Sequence, residues 1–302
     1  MTMLANPTLT ATRARVTRAE QAFFVKKLVL CGALTAAGAV AALTPVLWIR
    51  ICGYVVLAAM FVHAVELQHQ VLHYSAFVNR PAHRPVGVLL GLPMMVIYSH
   101  YQVRHIHHHK YLGTDRDVEF FQFDTRGRIS PGRLLLYIFN YRRWFTTLRD
   151  AALASTGRWR FDGQISPRAH RNIEGEYRLL LAIVLGAAAV SVATGSTVLI
   201  HLWLIPLLLA EPIHFLVELP EHVFCDQDTQ DVLVNTRTIT GHGFSTWFTN
   251  ANNLHVEHHL YMTLPMERLT SLHEVIAPLV VNQCRTYPQF YAMAFKRFVL
   301  GR

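Results

Sequence analysis

Charge is scarce in this chain. Of its 302 residues, 16% are Asp, Glu, Lys or Arg, against about 25% in an ordinary soluble domain. Cysteine is scarcer still. Cys31, Cys52, Cys225 and Cys284 stand alone, with no CxxC pair. That argues against a disulfide framework, thiolate-held structural zinc and iron–sulfur clusters, and the four read as reduced packing residues. No internal repeat or low-complexity tract occurs. Residues 1–27 lack an early apolar core, so no cleavable signal peptide is expected. The net charge of +9 is not gathered into an aromatic-interleaved patch, which argues against nucleic acid as a partner.

Apolar residues fill the space that charge leaves. They make up 52% of the chain, and the mean hydropathy of +0.25 exceeds soluble usage. A spanning helix needs about 20 mostly apolar residues. Leu28 to Ile49, Ile51 to Leu72, Leu179 to Gly195 and Thr197 to Leu219 all qualify. Val86 to Tyr98 carries Pro93 and is too short, so it reads as a re-entrant or interfacial segment. Leu134 to Phe145 reads either as an interfacial helix, with bulky apolar residues beside paired Arg, or as a buried helix of a cap. Residues 155–176 read as a loop.

Lys and Arg mark cytoplasmic flanks. Arg13, Arg15, Arg18, Lys26 and Lys27 precede the first span. Arg142, Arg143, Arg158, Arg160 and Arg171 lie between the second and third, and Arg268, Arg285, Lys296 and Arg297 follow the fourth. The expected fold is therefore an all-α membrane protein with four transmembrane helices in two hairpins and a cytoplasmic helical cap. Residues 1–302 form one domain. It divides into a cytoplasmic N-terminus (1–27), a first hairpin (28–73), a cap (74–177), a second hairpin (178–219) and a cytoplasmic C-terminal segment (220–302).

Against this background the 18 histidines are not scattered at random. His69 and His73 stand in HQVLH. His105, His108 and His109 stand in HIHHH, and His255, His258 and His259 in HVEHH. His222 closes ELPEH. On a helix, residues three and four apart share a face, so each cluster aims its imidazoles at one place. The adjacent pairs splay, and one member can serve each of two neighbouring ions. Nine imidazoles are too many for one ion and suit two. Imidazole alone is compatible with iron, copper, zinc or nickel. By the topology above, every cluster reaches the cytoplasmic face. The remaining histidines read differently. His83, His170, His201 and His273 read as hydrogen-bonded structural residues. His63, His100, His107, His214 and His242 lie nearer the clusters.

These clusters resemble the three histidine boxes of the integral-membrane fatty acid desaturase and hydroxylase superfamily. RHIHHHKYLGTDRD is similar to its second box with a trailing Asp, and NNLHVEHHLYMTLP to its third. The resemblance spans roughly residues 50–280. It implies a diiron centre, two iron ions held by the eight box histidines, with His222 as a ninth ligand. Some desaturases have an Asn four residues before that histidine, where this chain has Glu218. Glu218 is therefore a candidate to ligate iron, to accept a hydrogen bond from water, or to orient His222. Asp115, Asp117, Asn253 and Glu257 are candidate partners of the ligands.

The implied chemistry is O2-dependent removal of hydrogen from an unactivated C–H bond of a fatty acyl substrate in membrane lipid. Loss of a second hydrogen gives an alkene, whereas hydroxyl rebound gives an alcohol. HxxxH, NTRT at 235–238 and HHLYMTLP sit closer to acyl-lipid desaturases than to alkane hydroxylases. A hydroxylase or acetylenase of the same fold is the alternative, and a histidine-rich metal transporter the alternative of another class. No haem-binding HPGG or rubredoxin-like CxxC is present, so a separate electron donor such as ferredoxin or cytochrome b5 is expected.

Overall fold

The computed structural model describes residues 15–117 and 130–297. Arg13 and the parts of the expected cap and C-terminal segment at 118–129 and 298–302 lie outside them. The first helix, α1 (Arg18–Ala42), begins ten residues before the apolar run. Its start is a capping box, in which the Thr17 hydroxyl accepts from the Glu20 N–H and the Glu20 carboxylate accepts from the Thr17 N–H at 2.7 Å. After a short turn, α2 (Leu47–Leu72) runs back along it. The two backbones nearly touch, because a Cβ on Gly53 would lie 2.3 Å from the Ala42 nitrogen.

Beyond α2 the chain forms α3 (His83–Gly91) and α4 (Tyr98–Tyr111), separated by a turn that contains Pro93. Val86 to Tyr98 is thus half of a short helix plus a turn. Next come α5 (Pro131–Ile138) and α6 (Arg142–Ser155). The segment expected as one helix from Leu134 to Phe145 is broken at Phe139–Tyr141. Leu135, Leu136, Phe139 and Phe145 are exposed on it, as on an interfacial rather than a buried element.

The third long helix, α7 (Pro167–Thr194), corrects the expected loop at 155–176, whose second half is helical. Ser166 caps it by accepting from the Ala169 N–H at 3.1 Å, and Pro167 occupies its first position. A π-helical turn, Ile200–Leu204, then leads into α8 (Ile205–Glu218). Among the described residues, these long stretches are the four helices with enough length and apolarity to cross a membrane. Half of the apolar window of α2 is buried, against 11% in α7, which makes α2 the central helix. Indeed α8 packs chiefly along α2, and α7 along α6. Leu57, Phe61 and Val65 of α2 share a core with Ala151, Tyr177 and Leu207.

Two prolines interrupt the ladder around α8. Pro212 has no N–H for the Leu208 carbonyl, and Pro220 has none for that of Leu216. In each case a tyrosine from outside the spans supplies the donor. The Tyr141 hydroxyl donates to Leu208 O at 3.3 Å, and the Tyr291 hydroxyl donates to Leu216 O.

The C-terminal part adds short pieces: α9 (Val232–Asn235), β1 (Arg237–Ile239), α10 (Gly243–Phe248), α11 (His255–Leu260), α12 (Leu269–Ile276), β2 (Asn282–Cys284) and α13 (Tyr287–Phe295). The parallel pair β1–β2 is a small exception to the all-α expectation. This part is tied to the start of α1. Lys27 Nζ donates to Asn250 Oδ1 at 2.7 Å, and Arg268 pairs with Glu20. The N-terminal end of α1 therefore meets the C-terminal segment beside the ends of α2 and α8.

Candidate metal centre

Four segments deliver imidazoles to one place. The last turn of α2 brings His69 and caps with His73. Helix α4 brings His105, His108 and His109, and α11 brings His255, His258 and His259. His222 comes from the turn after α8. The ring nitrogens fall into overlapping groups. His69, His73, His105, His109 and His258 form one. His108, His222 and His259 form another, and His222 is shared with His255 and Glu221 in a third. The adjacent residues do splay: His108 and His109 enter different groups, as do His258 and His259. The His109 and His259 rings stack with centroids 4.1 Å apart, so the groups adjoin.

The nitrogen spacing is that of ligands rather than of hydrogen-bonded rings. In the first group, Nε2 of His105 lies 2.7 Å from that of His69 and 2.9 Å from that of His109, which is also 3.0 Å from that of His258. Across the second and third, His222 Nε2 lies 3.2 Å from both His108 Nε2 and His255 Nε2, and His259 Nε2 lies 3.1 Å from the latter. A ring nitrogen offers one hydrogen or one lone pair, so it cannot satisfy two such neighbours. Lone pairs converging on a common ion can. At a metal–nitrogen distance of about 2.1 Å, adjacent corners of one ion stand about 3 Å apart. His73 Nε2, buried without a hydrogen-bond partner, points to the same explanation.

The opposite ring nitrogens fix the tautomers. His108 Nδ1 donates to the Asp117 carboxylate at 2.9 Å. His222 Nδ1 donates to the Asn235 carbonyl at 3.2 Å, and His255 Nδ1 to Asn252 Oδ1 at 3.0 Å. Each bond places the hydrogen on Nδ1 and leaves the Nε2 lone pair facing its group. Burial also favours the neutral ring that a ligand must be at six of the box histidines. It pushes His73, His105, His109, His255, His258 and His259 well below the ordinary imidazole range, and neighbouring imidazoles push the same way. Burial brings His222 down to about 3, although the Asn235 carbonyl opposes it.

A match to the family model for fatty acid desaturases covers residues 43–291. The chain belongs to the fatty acid desaturase family. No curated protein matches it closely enough to count as a relative.

Within this desaturase scaffold the flanking motifs act as supports. In NTRT, Asn235 receives the His222 ring, and Arg237 donates to the Pro220 and Val223 carbonyls at 2.7 and 2.6 Å. Thr238 donates to Glu257 at 2.5 Å and accepts from the Val256 N–H, which holds the start of α11. Glu257 also accepts from His273 Nδ1 at 2.6 Å. It thus braces the third box from behind and joins none of the ligand groups. Asn253 bonds Thr249 and the Ile239 carbonyl, while its neighbour Asn252 is the one that meets His255. Asp117 supports His108, whereas Asp115 is exposed.

Glu218 lies 3.1 Å from His214 and outside the three groups. Among the described residues, the carboxylate grouped with the ligand nitrogens is that of Glu221. Its Oε2 lies 3.3 Å from His255 Nε2, and its Oε1 accepts from Asn252 Nδ2 at 2.8 Å. The other histidines have other neighbours. His63 bonds the Phe248 carbonyl, His100 the Tyr177 hydroxyl, His201 the Tyr54 hydroxyl, and His83 accepts from the Phe77 N–H. His107 lies against Tyr111 with the rings tilted, His170 lies 3.6 Å from Glu174, and His242 caps α10.

A cavity of about 570 Å³ opens beside the centre. It is lined by His69, His105, His108, His222 and His255 together with residues of α5, α6 and α8. It is large enough to admit part of an extended chain to the ligand groups.

Proposed function

We propose that this protein is an O2-dependent membrane oxidoreductase that introduces a double bond into a fatty acyl chain at a pair of iron ions. The observation that carries this reading is the convergence of nine imidazoles, from four segments, into adjoining groups at ligand spacing. In this reading His69, His73, His105, His109 and His258 hold one ion, and His108, His222, His255 and His259 the other. Glu221 is a further ligand of the second ion. Glu218 acts through His214 rather than on the metal. Iron is favoured over zinc because the family's chemistry is redox and the ligands include no thiolate. When bound, the ions supply the activation of O2 needed to take hydrogen from an unactivated C–H bond.

The residues of the chain do the rest. The buried histidines exclude water from the ligand groups. Asp117, Asn235 and Asn252 hold the ligand tautomers. The cavity presents the substrate to the nitrogen cluster. Two electrons come from a separate donor such as ferredoxin or cytochrome b5. The basic flanks of the spans support a topology with both termini and the centre on the cytoplasmic side, where such a donor would dock.

Two measurements test this. Elemental analysis of purified protein should find about two irons per chain, and exchangeable zinc without redox activity would instead support a transporter. Incubation with a reduced donor, O2 and membrane lipid should yield a product lighter by two hydrogens. A gain of oxygen would replace the desaturase by a hydroxylase.

A further inference from the structure

A buried cation on α1 reaches the third histidine box from behind. Lys27 lies in a helix apolar enough to cross a membrane and is only 9% exposed. A buried ammonium needs partners. Its Nζ donates to Asn250 Oδ1 at 2.7 Å, and the Glu267 carboxylate interacts with it electrostatically. Asn250 turns its amide nitrogen to α2. Nδ2 donates to Gln70 Oε1 at 3.0 Å and to the Glu66 carbonyl at 3.3 Å. This buried side chain is thus gripped between α1 and α2.

The backbone at the same place is strained. Asn250 and Ala251 are consecutive non-glycine residues in the left-handed region, at φ 51° and 66°. A Cβ resists that conformation, in Ala more than in Asn. Such backbone persists only where its surroundings over-determine it. Here the Asn250 N–H donates to the Trp247 carbonyl at 3.1 Å, and the Ala251 N–H to the Thr246 carbonyl at 2.7 Å. The grip on the Asn250 side chain adds to these. The next residue is Asn252, whose amide meets both His255 Nδ1 and Glu221 Oε1. The turn at 250–251 therefore sets where that amide points.

We propose that Lys27 is a positioning residue for the second ion. It fixes Asn250 in the left-handed turn, the turn places Asn252, and Asn252 places His255 and Glu221. The proposal rests on the two-ion reading above. Without the lysine donor, Asn250 Oδ1 would be a buried acceptor with no partner, and the turn would lose a contact that offsets its strain. A second tie between the same parts of the chain supplies the control. Arg268 bonds Glu20 and the Arg15 carbonyl and leaves the turn alone.

The test titrates iron-loaded protein in lipid nanodiscs with a ferrous chelator and resolves two dissociation constants. The one that Glu221→Ala weakens more marks the second ion. Lys27→Met should weaken that constant about tenfold or more, the usual effect of losing a ligand's support, and the other constant less. Arg268→Met should leave both unchanged. Lys27→Met combined with Ala251→Gly should recover most of the lost affinity, because glycine adopts the turn without a clamp. A lysine that only stabilised the fold would weaken both ions alike. Equal weakening, no weakening or no rescue overturns the proposal. If Lys27→Met does not fold, Lys27→Gln, with its shorter donor, must show the same selective loss in smaller measure, and equal or absent loss there overturns it too. The two-ion reading fails separately, if the wild type loads other than two ions per chain or Glu221→Ala moves neither constant. Amide hydrogen exchange at 250–254 then decides the clamp alone. Exchange should be faster in Lys27→Met than in the wild type and in Arg268→Met, and equal exchange in all three overturns the proposal.

Discussion

Glu221 Oε2 stands 3.3 Å from His255 Nε2, and Asn252 is hydrogen-bonded to both residues. One amide thus positions an imidazole and a carboxylate together. Glu221→Ala should lower iron content toward one per chain, with the loss confined to the second ion. Glu218→Gln should leave iron content unchanged. Elemental analysis of the two variants side by side checks this, and equal losses would mean that both carboxylates hold metal.

Asp117 receives the hydrogen on His108 Nδ1. Removing such a support typically lowers metal affinity about 10–100-fold. Asp117→Asn should therefore weaken iron binding within that range, measured by competition with a chelator. His108→Ala should abolish turnover while leaving membrane insertion intact. Retained turnover would count heavily against the diiron assignment.

Chelation should destabilise the protein. Metal that binds only the folded state adds about 2.7 kcal/mol at a free concentration one hundred times its Kd. The melting temperature in nanodiscs should fall on metal removal and recover on adding ferrous iron. The nine-histidine core predicts a smaller response in His73→Ala, because its Nε2 has no other partner to lose.

Gly53 is a point of close approach between α1 and α2. Gly53→Val should drive the helices apart and cost about 1–3 kcal/mol or more, as overpacking does. The expected readout is a lower melting temperature with the histidine groups, at the far end of α2, still able to load iron. An unchanged melting temperature would mean that the helices do not pack as described.

The boxes were legible because their spacing matches a helical face, and α2, α4 and α11 are helices where the boxes lie. Glu218 was a candidate through the family resemblance, and the structure sets it beside His214. Four residues before His222 it would share that ring's face on a continuous helix. But α8 ends at Glu218, and the turn through Pro220 redirects the chain. Glu221 then reaches the ligand group, a placement that no periodicity signals. Helix starts were written in the chain yet masked by hydropathy. Thr17 and Glu20 form a capping box, and Ser166–Pro167 is a typical helix start, but both precede the apolar runs that mark the spans. The small sheet was invisible because three-residue strands carry no pattern of their own.

The tyrosine caps on α8 bear on how the protein assembles. Inserted alone, the fourth span would carry two carbonyls, those of Leu208 and Leu216, that no group within the helix can satisfy. Their donors, Tyr141 and Tyr291, lie on either side of it in the chain. The span that leads to His222 and Glu221 therefore reaches its final hydrogen bonding only after both polar segments have folded onto it. Completion of that helix and completion of the metal centre become one late event, in which the C-terminal end of the chain takes part.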